Sequence, residues 1–180
     1  MKRSTRALIG GVLMAAMASG CAPIGGGAIS AAPGRSVALI AGDGRTIGSV
    51  AVAADGAMTV RVAAGGLAPG MHGLHLHAVG LCTGPGFASA GGHLNPGGKQ
   101  HGRDNPLGAH LGDLPNIEVG AGGGTARIAA NLSQTTGVGA ELADADGTAL
   151  VIHAKPDDYR TDPSGASGDR VACAVVGAAR

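Results

Sequence analysis

The chain has 180 residues, with 13 Lys and Arg against 12 Asp and Glu, 44% hydrophobic residues and 35 glycines, but its only aromatic residues of the Phe, Tyr and Trp class are Phe87 and Tyr159. A net charge of +1 without Trp gives neither a basic face nor a stacking platform for nucleic acid, and the apolar share is too high for a disordered polyampholyte. The glycines keep no three-residue period, which excludes collagen, and a core of Val, Leu, Ile and Ala among many glycines suits short strands joined by turns.

The first segment in chain order reads as an address. Lys2, Arg3 and Arg6 precede an apolar run over 7–18, and the small residues Ala18, Ser19 and Gly20 lead to Cys21. This is a secretory signal over residues 1–20, with an apolar run too short to span a bilayer as a helix. The Ala-Ser-Gly-Cys ending resembles the lipobox of bacterial lipoproteins, which implies acylation of Cys21; the other reading is a secreted chain with a chance cysteine. Ala22, where an Asp would signal inner-membrane retention, leans toward the outer membrane in a Gram-negative host. Residues 21–34 are then the lipidated Cys and a tether, and 35–180 form one domain. Losing Lys2, Arg3 and Arg6 leaves ten basic against 12 acidic residues, net −2. The expected location is the cell envelope: exported, lipid-anchored, and facing the periplasm or the cell exterior. Membrane contact is by the N-terminal lipid alone, because no basic amphipathic helix is present.

Strands follow. Residues 36–41 (SVALIA) and 46–53 flank an Asp43-Gly44 turn as a hairpin, and after Asp55-Gly56 the segment 58–63 (MTVRVA) alternates cleanly. A loop at Leu67-Ala68-Pro69-Gly70 precedes a strand over 71–78. Residues 79–116, rich in Gly, Pro, His and Asn, show neither strand nor helix period, and a stretch of that length inside a domain is usually functional. Strand patterns resume over 117–119, 125–132 and 149–154. A second loop, 155–169, precedes a last strand over 171–176. Short strands with regular turns and no convincing helix predict an all-β sandwich with two long functional loops.

Three cysteines are present. With Cys21 acylated, Cys82 and Cys173 remain, and an exported compartment favours their pairing; two unrelated buried thiols are the alternative. Seven histidines carry the chemistry. His75 and His77 stand two apart on an alternating strand, so both imidazoles reach one side and can meet one metal. His93, His101, His110 and Asp113 lie in the long loop and offer three nitrogens and one oxygen, a set that suits tetrahedral Zn²⁺. His153 ends an apolar strand and could return to join His75 and His77.

Several strings resemble the copper/zinc superoxide dismutases. They are Gly-Met-His-Gly-Leu-His-Leu-His over 70–77, Gly-His-Leu-Asn-Pro over 92–96, His101-Gly102, and His-Leu-Gly-Asp-Leu-Pro-Asn over 110–116. Leu-Val-Ile-His-Ala-Lys-Pro-Asp-Asp-Tyr over 150–159 and Gly-Asp-Arg-Val-Ala-Cys over 168–173 complete the series, in the family's order across roughly residues 36–177. The resemblance implies a Greek-key β-sandwich or flattened barrel of about eight antiparallel strands. It implies one copper per subunit on His75, His77, His93 and His153, and one zinc per subunit on His93, His101, His110 and Asp113, with His93 bridging the two. Asp157 matches the aspartate that links His75 to His101, Cys82 and Cys173 match the intrasubunit disulfide, and Arg170 matches the active-site arginine. His72 matches a family histidine that is not a ligand. The segment from Cys82 to His93 is longer than in cytosolic eukaryotic members, and that from His153 to Arg170 is shorter.

The implied activity is dismutation of superoxide to O₂ and H₂O₂, protecting the envelope. Arg170 orients the anion, and His93 takes and returns a proton. Superoxide is the only partner implied besides a membrane, and the protein is a monomer or homodimer. Two other classes fit the same ligands: a lipoprotein that stores or delivers copper, and a structural zinc lipoprotein. Copper storage needs no anion-steering Arg170, and a zinc-only protein needs no His153.

Overall fold

Alternation along each strand decides which side chains face inward. The computed structural model describes residues 34–53, 56–128 and 144–177. In order, these form β1 (Arg35–Ala41), β2 (Thr46–Val52), β3 (Met58–Val62), β4 (Gly70–His72), β5 (Leu74–His77), β6 (Ile117–Gly120), β7 (Gly123–Ile128), β8 (Thr148–His153) and β9 (Arg170–Gly177). In β3 the inward residues are Met58, Val60 and Val62, while Arg61 points to solvent. The β1–β2 hairpin closes through the Asp43-Gly44 turn, with the Gly44 N–H donating to the Ala41 carbonyl at 2.9 Å.

All pairings are antiparallel, in the order β4-β6-β7-β3-β2-β1-β9-β8-β5. The two edge strands are consecutive in the chain, so the sheet curls back on itself into a nearly closed flattened barrel. The expected all-β, antiparallel architecture is therefore the observed one. The number differs by one, because the strand expected over 71–78 is two. Gly73 interrupts it: its N–H donates to the Lys155 carbonyl and its own carbonyl accepts from the His153 N–H, both at 2.8 Å. Before this break the chain pairs with β6, and after it with β8. The strand expected over 125–132 begins at Gly123, and its end lies outside the described residues, as do the expected signal, Cys21 and most of the tether. Within the long loop one 3-10 turn forms, Ala88–Ala90. No helix among the described residues is long and apolar enough to cross a membrane.

Every residue of β5 and β8 is buried, because both faces are covered. Leu74 and Leu76 pair with Ile152 and Leu150 and point into the main barrel core. The opposite face carries His75, His77, Ala149 and Val151, roofed by the long loops. Beside the histidines a second apolar cluster gathers Phe87, Ala90, Ala149, Val151 and Cys173, with Cys82 against it. The Cys82–Cys173 disulfide, with Cα atoms 5.7 Å apart, ties that loop to β9.

Candidate metal centre

Two-residue periodicity puts His75 and His77 on the outer wall of β5. The β5–β8 pairing, with Leu74 opposite Ile152, brings His153 alongside, and an isolated bridge between His77 and His93 sets the loop histidine against the same strand. Ligand atoms of His75, His77, His93 and His153 lie within 4.8 Å of one another, and so do those of His75, His93, His101 and Asp113. The second group contains His75 in place of His110. Geometry favours His110 as its fourth member: its Nδ1 lies 3.1 Å from Asp113 Oδ1 and 3.3 Å from His93 Nδ1, whereas His75 is engaged elsewhere.

Each imidazole of the first group has one nitrogen held and one free. The Nδ1–H of His77 donates to the Gly91 carbonyl and that of His153 to the Gly168 carbonyl, each at 2.9 Å. His75 Nε2 sits 2.8 Å from Asp157 Oδ2. Held this way, each ring presents an unprotonated nitrogen on its other side. Among the described residues, the buried side-chain N and O atoms without a hydrogen-bond partner are His75 Nδ1, His77 Nε2, His93 Nε2, His101 Nδ1 and His153 Nε2. Leaving one such atom unpaired costs about 1–3 kcal/mol. Four of them converging on one point fit a cation that accepts nitrogen ligands, and four imidazoles suit copper.

The second group is built around Asp113. Its Oδ1 lies 3.0 Å from His93 Nδ1 and 2.9 Å from His101 Nδ1, the latter without hydrogen-bond alignment. Its Oδ2 accepts the N–H groups of Gly102 and His110 at 2.9 and 3.0 Å. Corners of a tetrahedron with bonds of about 2.0 Å are roughly 3.3 Å apart, so these separations fit a zinc-sized ion. His93 belongs to both groups and turns a different nitrogen to each.

Protonation follows the environment. Burial drives His77 down to about 2, against the pull of the Gly91 carbonyl. Burial likewise lowers His93 and His153 to about 4, opposed by Asp113 and the Gly168 carbonyl respectively. All three are neutral imidazoles at pH 7. Burial also acts to lower His101, but its contacts with Asp113 and Asp157 outweigh this and raise it to about 9. Burial would raise both carboxyls; the His101 ring beside them first, and then hydrogen bonds from neighbouring groups, hold Asp113 and Asp157 well below the usual carboxylate range. Asp157 spans the two groups, with Oδ2 on His75 and Oδ1 3.0 Å from His101 Nε2. The site's second acid is thus a structural bridge between rings, itself fully enclosed.

Arg170 opens β9 and lines a cleft beside the histidines with Gly91, Gly92 and Gly168. Its guanidinium donates to the Phe87 carbonyl at 2.8 Å and the Gly91 carbonyl at 2.7 Å. Gly91 therefore holds both Arg170 and the His77 ring. His72 stands outside both groups, its ring nitrogens 2.7 and 2.9 Å from the His153 and Ala68 carbonyls. Sequence reasoning missed several members of the site: Gly91 and Phe87 act through carbonyls, Asp162 accepts the His101 N–H at 2.6 Å, and Asn116 grips Asp157. Only Asn116 had a visible signal, as the last residue of the string over 110–116.

Residues 46–176 match the family model for copper/zinc superoxide dismutase (SODC). The superoxide dismutase-like protein YojM of Bacillus subtilis is 40% identical over 148 residues, which cover 79% of this chain and 76% of that one. A Cu-Zn superoxide dismutase of Caulobacter vibrioides is 43% identical over 141 residues, 76% of this chain and 81% of that one. Among solved structures, a double mutant of a SOD-like protein from Bacillus subtilis superposes with a TM-score of 0.70 at 36% identity, covering 82% of this chain and all of the other.

Proposed function

The chain belongs to the copper/zinc superoxide dismutase family, and we propose that it holds copper on His75, His77, His93 and His153 and zinc on His93, His101, His110 and Asp113. It dismutes superoxide: two superoxide anions and two protons give one O₂ and one H₂O₂. When bound, copper supplies the one-electron couple for both half-reactions, and zinc, which has no redox chemistry, supplies fixed charge and structure.

The chain's residues do the rest. Arg170, fixed by two carbonyls, presents its remaining N–H groups to a small anion in the cleft. Because residues 21–180 carry net negative charge, attraction of that anion rests on local cations. His93 Nε2 would carry one of the two protons in the half-cycle in which it does not hold copper and give it to the departing peroxide in the other, and solvent would supply the second proton. The neighbouring zinc ligands hold its ring in place throughout. Asp157 keeps the His75 and His101 rings turned outward to their metals.

The observation that carries this reading is the double use of His93, with Nδ1 against Asp113 and Nε2 unpaired toward the other histidines. Its test is metal content in variants. His153→Ala should lose copper and keep zinc, and His110→Ala the reverse; loss of both metals in both variants, or of neither, contradicts the assignment.

We further place the domain outside the cytoplasm, anchored through acylated Cys21 and protecting the cell envelope from superoxide, as a monomer or homodimer. Support comes from the residue pattern over 1–21 and from the Cys82–Cys173 bond, which persists in oxidising compartments. Cys21→Ser should move the protein from the membrane fraction to the soluble one.

A further inference from the structure

Tyr159 makes four contacts that converge on the zinc half of the centre. Its hydroxyl accepts the Asn116 N–H at 2.8 Å, and its carbonyl accepts the Asp104 N–H at 3.0 Å. Its own N–H donates to Asp157 Oδ1 at 2.6 Å, the same oxygen that faces His101. The Arg103 guanidinium lies 3.7 Å above its ring centroid. Its φ of 62° is in the left-handed region, which a non-glycine residue occupies at a cost unless its surroundings hold it there.

Asn116 completes the arrangement. Its side-chain oxygen accepts the Asp157 N–H at 2.8 Å, and its side-chain amide donates to the Asp157 carbonyl at 3.0 Å. The amide thus pairs with both backbone groups of Asp157 as a neighbouring strand would. Three residues before Asn116 stands Asp113, so this grip joins the zinc loop to the 155–169 loop.

We propose that Tyr159 is a positioning residue for the zinc site: through Asn116 it fixes the Asp157 carboxylate between His75 and His101, and so sets how long zinc stays bound. This rests on the assignment of zinc to His93, His101, His110 and Asp113. Removing the hydroxyl leaves the Asn116 N–H without its acceptor and frees Asn116, and with it Asp157, to shift. The His101 ring then loses the contact that orients it. Partners that orient metal ligands typically change affinity 10–100-fold, and Tyr159, one step removed, belongs at the low end.

The test is zinc release from the full chain, loaded with copper and zinc, into excess chelator. Tyr159→Phe keeps the ring under Arg103 and the backbone contacts, yet should release zinc about tenfold faster. Asn116→Ala should release it at least as fast, and in Tyr159→Phe zinc release should quicken more than copper release, because the Asp157 oxygen that the Tyr159 N–H holds faces His101 and the other oxygen faces His75. As the only tyrosine in a chain without tryptophan, Tyr159 also reports directly. Zinc added to the metal-free wild type should change tyrosine emission with the midpoint of zinc binding. Wild-type release rates in Tyr159→Phe, or flat emission while zinc binds, would overturn the proposal. A wild type that binds no zinc would instead overturn the zinc assignment itself.

Discussion

Replacing Gly165 by alanine should damage the centre without replacing any of the residues proposed to hold metal. Gly165 has φ of 64°, and a methyl there would overlap Asp157 Oδ1 outright and stand 2.7 Å from His101 Nε2. The backbone cannot retreat easily, because the Gly165 N–H donates to the Thr161 carbonyl at 2.6 Å and its carbonyl accepts the Asp158 N–H at 3.0 Å. A left-handed alanine costs about 1–2 kcal/mol. Displacing the carboxylate sacrifices its charge-assisted hydrogen bond to His101, about 1.5–3 kcal/mol more. The total is roughly 2.5–5 kcal/mol, which lowers the melting temperature of a domain of this size by roughly 5–20 °C. Zinc affinity should also fall about 10–100-fold, since Asp157 no longer orients His101. Calorimetry of the metal-free protein and chelator competition of the zinc-loaded one measure the two effects. A Gly165→Ala protein that melts within about 2 °C of the wild type and keeps its zinc would refute this account of Asp157.

Other consequences follow from the same geometry. Phe87→Ala empties the second apolar cluster and should cost about 3–5 kcal/mol in denaturant unfolding. It also loosens the carbonyl that holds Arg170, so dismutation efficiency should drop at unchanged copper content, with Phe87→Leu recovering most of it. Reducing the Cys82–Cys173 bond, which links residues 91 apart, should cost about 4–5 kcal/mol in the chain-entropy estimate, read as a lower urea midpoint with reductant. In the metal-free protein, His77, His93 and His153 are held below the unfolded value near 6.5. The unfolded chain therefore binds more protons from about pH 6.5 downward, and stability falls with acid toward pH 4. His101, raised to about 9, stabilises fully below 6.5 and loses that contribution as pH rises through 9. Metal-free stability should peak near neutrality, and urea midpoints still rising at pH 9, or flat from 6.5 to 4, would contradict this.

Much of the molecule is legible in the chain, for identifiable reasons. Met58 to Val62 alternates strictly, and its burial alternates with it. His75 and His77, two apart in a run of leucines, announce a strand with two faces of different chemistry, one turned to the core and one to the loops. What stays hidden depends on backbone atoms or on distant partners. Nothing in the identity of Gly73 says that the strand changes neighbours there. Phe87 reads as a lone aromatic in a loop, yet its ring fills a cluster and its carbonyl aims Arg170. Asp162 reaches the backbone of His101 from 61 residues away, and no local pattern encodes that.

The most direct test of the central claim is superoxide dismutation by the purified protein loaded with copper and zinc. A rate approaching the diffusional ceiling known for such enzymes, about 10⁸–10⁹ M⁻¹s⁻¹, that vanishes when copper is removed is the expected result. A folded, fully metallated protein no faster than free copper ions would contradict it and would point to copper storage or delivery instead.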